Sequence, residues 1–434
     1  MPEETDIIDR PSNPGSEPRP LRIAWFSPLA PVRSGISAYT AEVVPLLRQW
    51  FVIDIYPEAT AHDFVWRAQR EPYDLVVYQL GNSRGHDYMW GYLVPYPGLV
   101  VLHDARLHHA RARLLLSQDR HDDYRRELTF DQPAINIAFA EYAIAGLGGP
   151  IYYFWPMLRS VIRAAKMVAV HSETVAQDLR DAYPGAAVEA LRMGVPDISA
   201  ASEAGANVRR ALSLPADATV FAAFGKVTPE KRVSAMLQSI ATLKREGRDA
   251  YLVLVGDTDD YPTLADELDA NGVADRVRVT GYVTDEAVAD YLAAANACLC
   301  LRWPTALETS ASWLRCLAAA KATVITDLAH TSEIPSAVAL RVDLLDEAAS
   351  LANAMRRLAD DHQLRVALSV AGHAYWAANH TMDAAVTDYR RLLTTAAGRP
   401  APAIGDLPVH FFADHSTTAK AIVREMDVSV DLFE

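Results

Sequence analysis

Short apolar runs recur along the chain, separated by longer stretches in which apolar residues return every third or fourth position. In the first half the runs are residues 21–26, 52–56, 75–79, 99–102 and 167–170; in the second they are 220–224, 251–255, 277–280, 297–301 and 322–326. Continuous apolar runs followed by a helical period mark strands buried on both faces of a parallel sheet. The pattern predicts two doubly wound, Rossmann-like α/β domains. Residues 196–214 are polar and poor in strand formers, which sets the boundary near residue 200: a first domain over 21–200 and a second over 201–396. The last periodic stretch, 381–395, reads as a helix with Ala384, Ala385, Tyr389, Leu392 and Leu393 on one side, ending the second domain or crossing back to the first. Residues 1–20, rich in Pro, Ser and Glu, read as a disordered lead-in. Residues 397–434 form a tail with Pro400, Pro402 and Pro408, a short helix over 417–426, and the first domain as one place to pack.

Composition narrows the function. A chain of 434 residues, 50% hydrophobic, can bury more than one core, so a two-domain enzyme with a cleft is the expectation. A formal charge of −14 argues against a nucleic-acid partner, because binding a phosphate backbone needs a basic face. The three cysteines, Cys298, Cys300 and Cys316, lack zinc-site spacing and read as reduced, buried thiols. The start has neither the basic residues nor the apolar core of a signal peptide, and no run of about 18 apolar residues occurs. A cytoplasmic protein, peripheral to a membrane at most, is expected.

In open parallel sheets ligands bind beyond the carboxyl ends of the strands, so the informative residues follow each run. After the first strand, Ser34-Gly35 narrows a prolyl loop and opens a helix, a place where N–H groups meet an anion. After the third and fourth come Gly81-Asn82-Ser83 with His86, and His103-Asp104 with His108-His109. His103, directly behind a buried strand, is placed to face a cleft and meet a sugar hydroxyl or a developing charge. Zinc is disfavoured, since adjacent histidines leave a helix on different sides. Arg106, Arg111 and Arg113 offer a face for a lipid or phosphate-bearing acceptor, against which stands the reading of a solvated helix face. In the second domain, Gly225-Lys226 through Lys231 puts two lysines five apart around a turn, enough to neutralise a diphosphate without a metal. Asp257, Asp259 and Asp260 are read as caps of the next helix. Tyr282 and Val283 follow a further strand, beside backbone that can read a nucleobase edge. Glu308, with Thr309, Ser310, Ala311 and Ser312 at a helix start, offers a carboxylate for sugar hydroxyls and N–H donors for phosphate.

Together and in this order, these loops resemble the retaining glycosyltransferases of the family 4 type, which have the two-domain GT-B fold with a central cleft. The resemblance runs from about Leu21 to Leu393. It is carried by Ser34 to Tyr39, Tyr78 to Asn82, Leu102 to Asp104 with His108-His109, Met193-Gly194-Val195-Pro196, Gly225 to Lys231, and Leu301 to Ile334. It implies that Lys231 and Lys226 hold the diphosphate of a UDP- or GDP-sugar. It places Glu308 against the donor sugar, the N–H groups of Thr309 to Ser312 beside the phosphates, Tyr282 and Val283 at the base, Gly35 near the phosphate, and His103 on the transferring sugar or acceptor. Asn82, His86, Asp104 and His108 fall on the acceptor side, where a glycan, a lipid-linked molecule or a small molecule would sit. The implied chemistry needs no metal or cofactor and retains the anomeric configuration. Two departures stand out. The second glutamate of many relatives, eight residues after the first, is here Cys316, with Arg315 beside it; and Leu307, Ala311 and Ala320 replace glycines, each side chain expected to crowd the donor. They keep open a non-catalytic GT-B partner protein with a degenerate donor site, beside a coupling or phosphorolysis enzyme on the same fold.

Overall fold

The computed structural model describes residues 19–149, 151–198 and 202–412. Two six-stranded parallel sheets face each other. The first contains β1 (Arg22–Phe26), β2 (Val52–Tyr56), β3 (Leu75–Leu80), β4 (Leu99–Leu102), β5 (Met167–Val170) and β6 (Val188–Ala190), in the order 2-1-3-4-5-6. The second contains β7 (Thr219–Phe224), β8 (Ala250–Val255), β9 (Val277–Val279), β10 (Ala297–Cys300), β11 (Ala322–Thr326) and β12 (Leu340–Val342), in the order 12-11-10-7-8-9. All ten expected strands are present. β6 and β12 were not expected; each is three residues long at a sheet edge, and β6, Val-Glu-Ala, has no apolar run to find.

The central strands are largely apolar because helices cover both faces of each sheet. Ile23, Ala24, Trp25 and Phe26 of β1 are fully buried, as is all of β3. Strand order reverses between β1 and β3 in the first sheet and between β7 and β10 in the second, and at such a switch point neighbouring loops part to leave a crevice. The helices that matter for the cleft are α1 (Gly35–Leu47), α2 (His108–Leu116), α3 (His121–Asp131), α4 (Ala311–Ala318) and α5 (Met382–Ala397).

α5, capped by Thr381, crosses back to the first domain and lies on α1 and β3. Ala385, Tyr389, Leu392, Leu393 and Ala396 form its buried face, while Ala384 is only half-buried. Tyr389 stacks on Trp25, ring centres 5.5 Å apart, and Asp388 takes a two-pronged bond from Arg192 at 2.8 Å on each oxygen. The chain then continues along the first domain: Leu407 is buried there and His410 bonds Glu127 of α3 at 2.7 Å. The short helix expected over 417–426, and the lead-in over 1–18, lie outside the described residues.

Two expectations about loops are corrected. Asp257 closes its own turn by accepting from the Asp259 amide (2.8 Å), and Asp260 pairs with Lys226, so neither caps the following helix. Of the arginines expected to form one face, Arg111 is buried against Glu127 and Arg113 pairs with Asp87 (2.6 Å). Because Leu392 is fully buried in a core shared by both domains, Leu392→Ala is expected to cost about 2–5 kcal/mol of unfolding free energy in urea titrations.

Candidate active site

The second-domain wall starts where β7 and β8 end. Gly225 has left-handed backbone (φ 87°), and a Cβ on it would lie 2.7 Å from the Lys231 Nζ; a Cβ on Gly256 would lie 2.3 Å from the Gly225 carbonyl oxygen. Glycine is required at both. Lys231, at the end of a 3-10 turn (Pro229–Lys231), donates to the Phe224 carbonyl at 2.5 Å. No carboxylate among the described residues pairs with it. Burial, with Arg302 as the next cause, pushes its pKa down to about 7. Lys226 is separate from it: half-exposed, 2.7 Å from Asp260, and not on the cleft wall.

After β10 the chain folds around Glu308. One carboxylate oxygen accepts from the Thr305 hydroxyl and the Ala306 amide, both at 2.8 Å, and the other faces Arg302 Nε at 2.7 Å. These bonds fix the carboxylate where the switch point opens. Thr309 bonds the His171 carbonyl across the cleft (3.2 Å), Ser310 caps α4 by accepting from the Trp313 amide (3.2 Å), and Ala311 opens the helix. Ser312 lies beside Gly225. Leu307 and Ala320 have φ of 62° and 50°, so backbone conformation favours glycine there; the Leu307 side chain packs on the first-domain core instead of crowding the cleft. Cys316 is fully buried, 4.0 Å from Cys300 Sγ, and Arg315 pairs with Glu42 of α1 at 2.5 Å.

The first-domain wall holds a surprise. His103 is buried and donates through Nε2 to the Gln79 side-chain oxygen (2.7 Å); it stacks on His171, ring centres 4.9 Å apart, and it is His171 that lines the cleft. Burial drives His103 well below the usual histidine range and His171 to about 4, so both rings are neutral. His171 donates a hydrogen bond from Nδ1 to the Leu191 carbonyl (3.0 Å), and its Nε2 has no partner among the described residues. His171 follows β5 directly, and the strand-end rule that marks His103 would have marked it too. Asp104 accepts from the Asn82 amide (2.7 Å); burial, then repulsion from Glu308, raises its pKa to about 7.

Of the other first-domain candidates, Asn82 ties loops together, donating to the Arg106 carbonyl (2.8 Å) and accepting from the Ala110 amide (3.2 Å). His86 is fully buried on the Gln79 carbonyl (2.7 Å), and His108 is fully buried between Tyr124 and the Trp155 carbonyl. Their surroundings suit a structural place better than a cleft wall. Gly35 opens α1 with nothing within 4 Å of where a Cβ would sit. Tyr282 is half-exposed under the Arg33 guanidinium (4.1 Å), a contact between domains, and Val283 packs on the second-domain core.

Lys231, Arg302, Glu308, Ser310, Ser312 and His171 thus share one cleft with about 1000 Å³ of open space, its mouth included. His330, Glu333 and His380 line it as well, and none of them was a candidate from the sequence. Among the described residues, no group of three or more His, Cys, Asp or Glu side chains is arranged to hold a metal ion.

Residues 218–361, which supply that second-domain wall, match the family of glycosyl transferases group 1. The second domain matches the group 1 glycosyl transferases. The lipopolysaccharide core biosynthesis glycosyltransferase LpsD of Rhizobium meliloti is 33% identical over 172 residues, 38% of this chain and 46% of that protein. The chain matches less than half the length of the curated relatives found. Among solved structures, sucrose-phosphate synthase of Thermosynechococcus elongatus superimposes with a TM-score of 0.64 at 15% identity, over 86% of this chain and 100% of that one. HepE of Anabaena, in complex with UDP and glucose, gives 0.61 at 14% over the same shares. At such identity the likeness is one of fold, and it shows the GT-B arrangement of two facing domains.

Asp104 supplies a test. Its carboxyl is protonated below pH 4 in folded and unfolded chains alike; between pH 4 and 7 the unfolded chain ionises first, so wild-type stability falls as pH rises through that window. Asp104→Asn is expected to raise the melting temperature at pH 8 and to leave it unchanged at pH 4.

Proposed function

We propose that the protein transfers a sugar from a nucleotide-diphosphate donor, a UDP- or GDP-sugar, to an acceptor hydroxyl, with retention and without a metal. The observation that carries this is the buried, carboxylate-free Lys231 beside the N-terminus of α4, with Glu308 held rigid across the same cleft. A cation that has lost its hydration and found only a carbonyl gains most from a multiply charged anion. The diphosphate would take it, together with the N–H groups from Thr309 to Ser312 and the helix dipole. Glu308 would then meet the hydroxyls of the donor sugar, and Asp104, facing it from the first domain, the acceptor. Attack comes from the face the diphosphate leaves, and the departing diphosphate takes the acceptor's proton. The group 1 match and the UDP complex of a fold neighbour support this reading.

The test is a thermal-shift titration of the full chain with UDP, GDP, ADP, dTDP and their sugar conjugates in EDTA. One nucleotide should raise the melting temperature selectively, by mass action, and Lys231→Ala should weaken its binding about 10–100-fold. If no nucleotide shifts the protein, the reading fails in favour of a non-catalytic partner. Because Lys231 titrates near pH 7 when free and is held protonated by a bound diphosphate, calorimetry at pH 8 in buffers of different ionisation enthalpy should show proton uptake on binding, absent in Lys231→Ala.

A further inference from the structure

On the side of His171 the cleft runs on into a second chamber, with about 890 Å³ of open space, its mouth included, between the ends of β5 and β6 and the helix His362–Asn379. His171, Glu333, Tyr375 and His380 line both spaces, so the two are continuous. Most charge on the chamber wall is already balanced. Arg192 is held by Asp388 at 2.8 Å on each oxygen, and Arg180 holds Glu173. Glu333 is the exception: one of its oxygens accepts from the Thr174 amide and hydroxyl (3.1 and 3.0 Å), and no cation pairs with it among the described residues.

Two imidazoles stand beside that carboxylate. His171 and His380 are 7% and 8% exposed, and each donates from Nδ1 to a backbone carbonyl, of Leu191 and Met193, at 3.0 Å. Burial lowers the pKa of both, His171 to about 4, so both rings are neutral. A neutral imidazole that donates from Nδ1 has only a lone pair to offer at Nε2. Neither Nε2 has a partner among the described residues. A buried acceptor left without a donor loses its hydration for nothing, which points to a ligand that brings the donor. The remaining polar groups of the wall, Ser172, Tyr375 and Asn379, are uncharged. A phosphate or carboxylate in this chamber would meet lone pairs and a like charge, with no unpaired cation to hold it. An ammonium would meet acceptors that strengthen on its charge, and ring hydroxyls would meet the rest. Among the described residues these acceptors are not arranged to hold a metal ion.

We propose that this chamber receives the body of the acceptor, and that the acceptor is an aminated polyol, an amino sugar or aminocyclitol, whose ammonium lies among Glu333, His171 and His380 while a hydroxyl of the same molecule reaches the cleft. The acceptor role rests on the transferase reading; the binding preference does not. The experiment is saturation-transfer NMR on the full chain with glucosamine, streptamine, glucose and glucuronate, in EDTA and at physiological salt, where general attraction of a cation to a chain of net charge −14 is screened. The same ligands are titrated into His171→Phe and Glu333→Gln, and the nucleotide thermal shift is measured on all three proteins. Wild type should bind the two amines, glucose more weakly and glucuronate not at all. His171→Phe should weaken the amines about tenfold, the worth of one hydrogen bond. Glu333→Gln, at an exposed position where folding is not at stake, should abolish the preference for glucosamine over glucose and leave the nucleotide shift unchanged. The proposal is overturned if glucuronate binds as well as glucosamine, if neither amine binds, or if Glu333→Gln keeps the preference. Amine binding as expected with no nucleotide shift in any of the three would remove the transferase reading and leave the chamber as an amino-polyol site; a nucleotide shift without amine binding would do the reverse.

Discussion

Where β7 and β8 end, two stretches of backbone cross so closely that only glycine fits, and the chemistry of the cleft is arranged around that crossing. A Cβ on Gly256 would strike the Gly225 carbonyl, and a Cβ on Gly225 would strike Lys231. The lysine can fold under the strand end, with its ammonium on the Phe224 carbonyl, because no side chain occupies the space. Strand order places β10 next to β7, so the loop holding Glu308 opens on the same crevice as the lysine, although 77 positions separate them in the chain. Topology and two missing Cβ atoms bring together groups that local sequence keeps apart.

The second constraint is α5. Its apolar face has to be buried, and it is buried on the first domain, so the two sheets are tied by a helix as well as by the chain between them. The tie reaches the cleft through a polar chain: Tyr389 accepts from Gln79 (3.3 Å), Gln79 accepts from His103 (2.7 Å), and the His103 ring lies against His171. Buried polar groups must find partners, and here the partners run from the domain joint to the cleft wall.

The sheets were legible because parallel strands buried on both faces leave long apolar runs; β6, Val-Glu-Ala at a sheet edge, leaves none, and β12, Leu-Arg-Val, has no longer a run than β9, Val-Arg-Val, which was expected. Lys231, Glu308 and the start of α4 were legible because the strand-end rule needs only strand positions. Which of two neighbouring histidines lines the cleft was not legible. His103 and His171 follow adjacent strands in equivalent places, are equally buried and both meet the Tyr39 ring edge-on, yet His171 lines the cleft while His103 is held by Gln79. The two lysines five apart read alike, and only the structure separates Lys226, drawn out by Asp260, from Lys231, which has no such carboxylate. Leu307 and Ala320 looked like obstructions because a side chain was weighed without its backbone; their positive φ accounts for the preference for glycine, and Leu307 found room on the other domain.

The place of the second glutamate holds a buried thiol instead of a carboxylate. Cys316 turns into the apolar core beneath α4 beside Cys298 and Cys300, where a carboxylate would lose its hydration and find no partner, so a glutamate could not simply be restored there. One residue earlier, Arg315 leaves the same helix toward the first domain and meets Glu42, whose carboxyl burial holds above its usual range even against the arginine's pull. Arg33 over Tyr282 adds a second bridge on this side. These contacts, like the approach of Asp104 to Glu308, exist only with the two domains together.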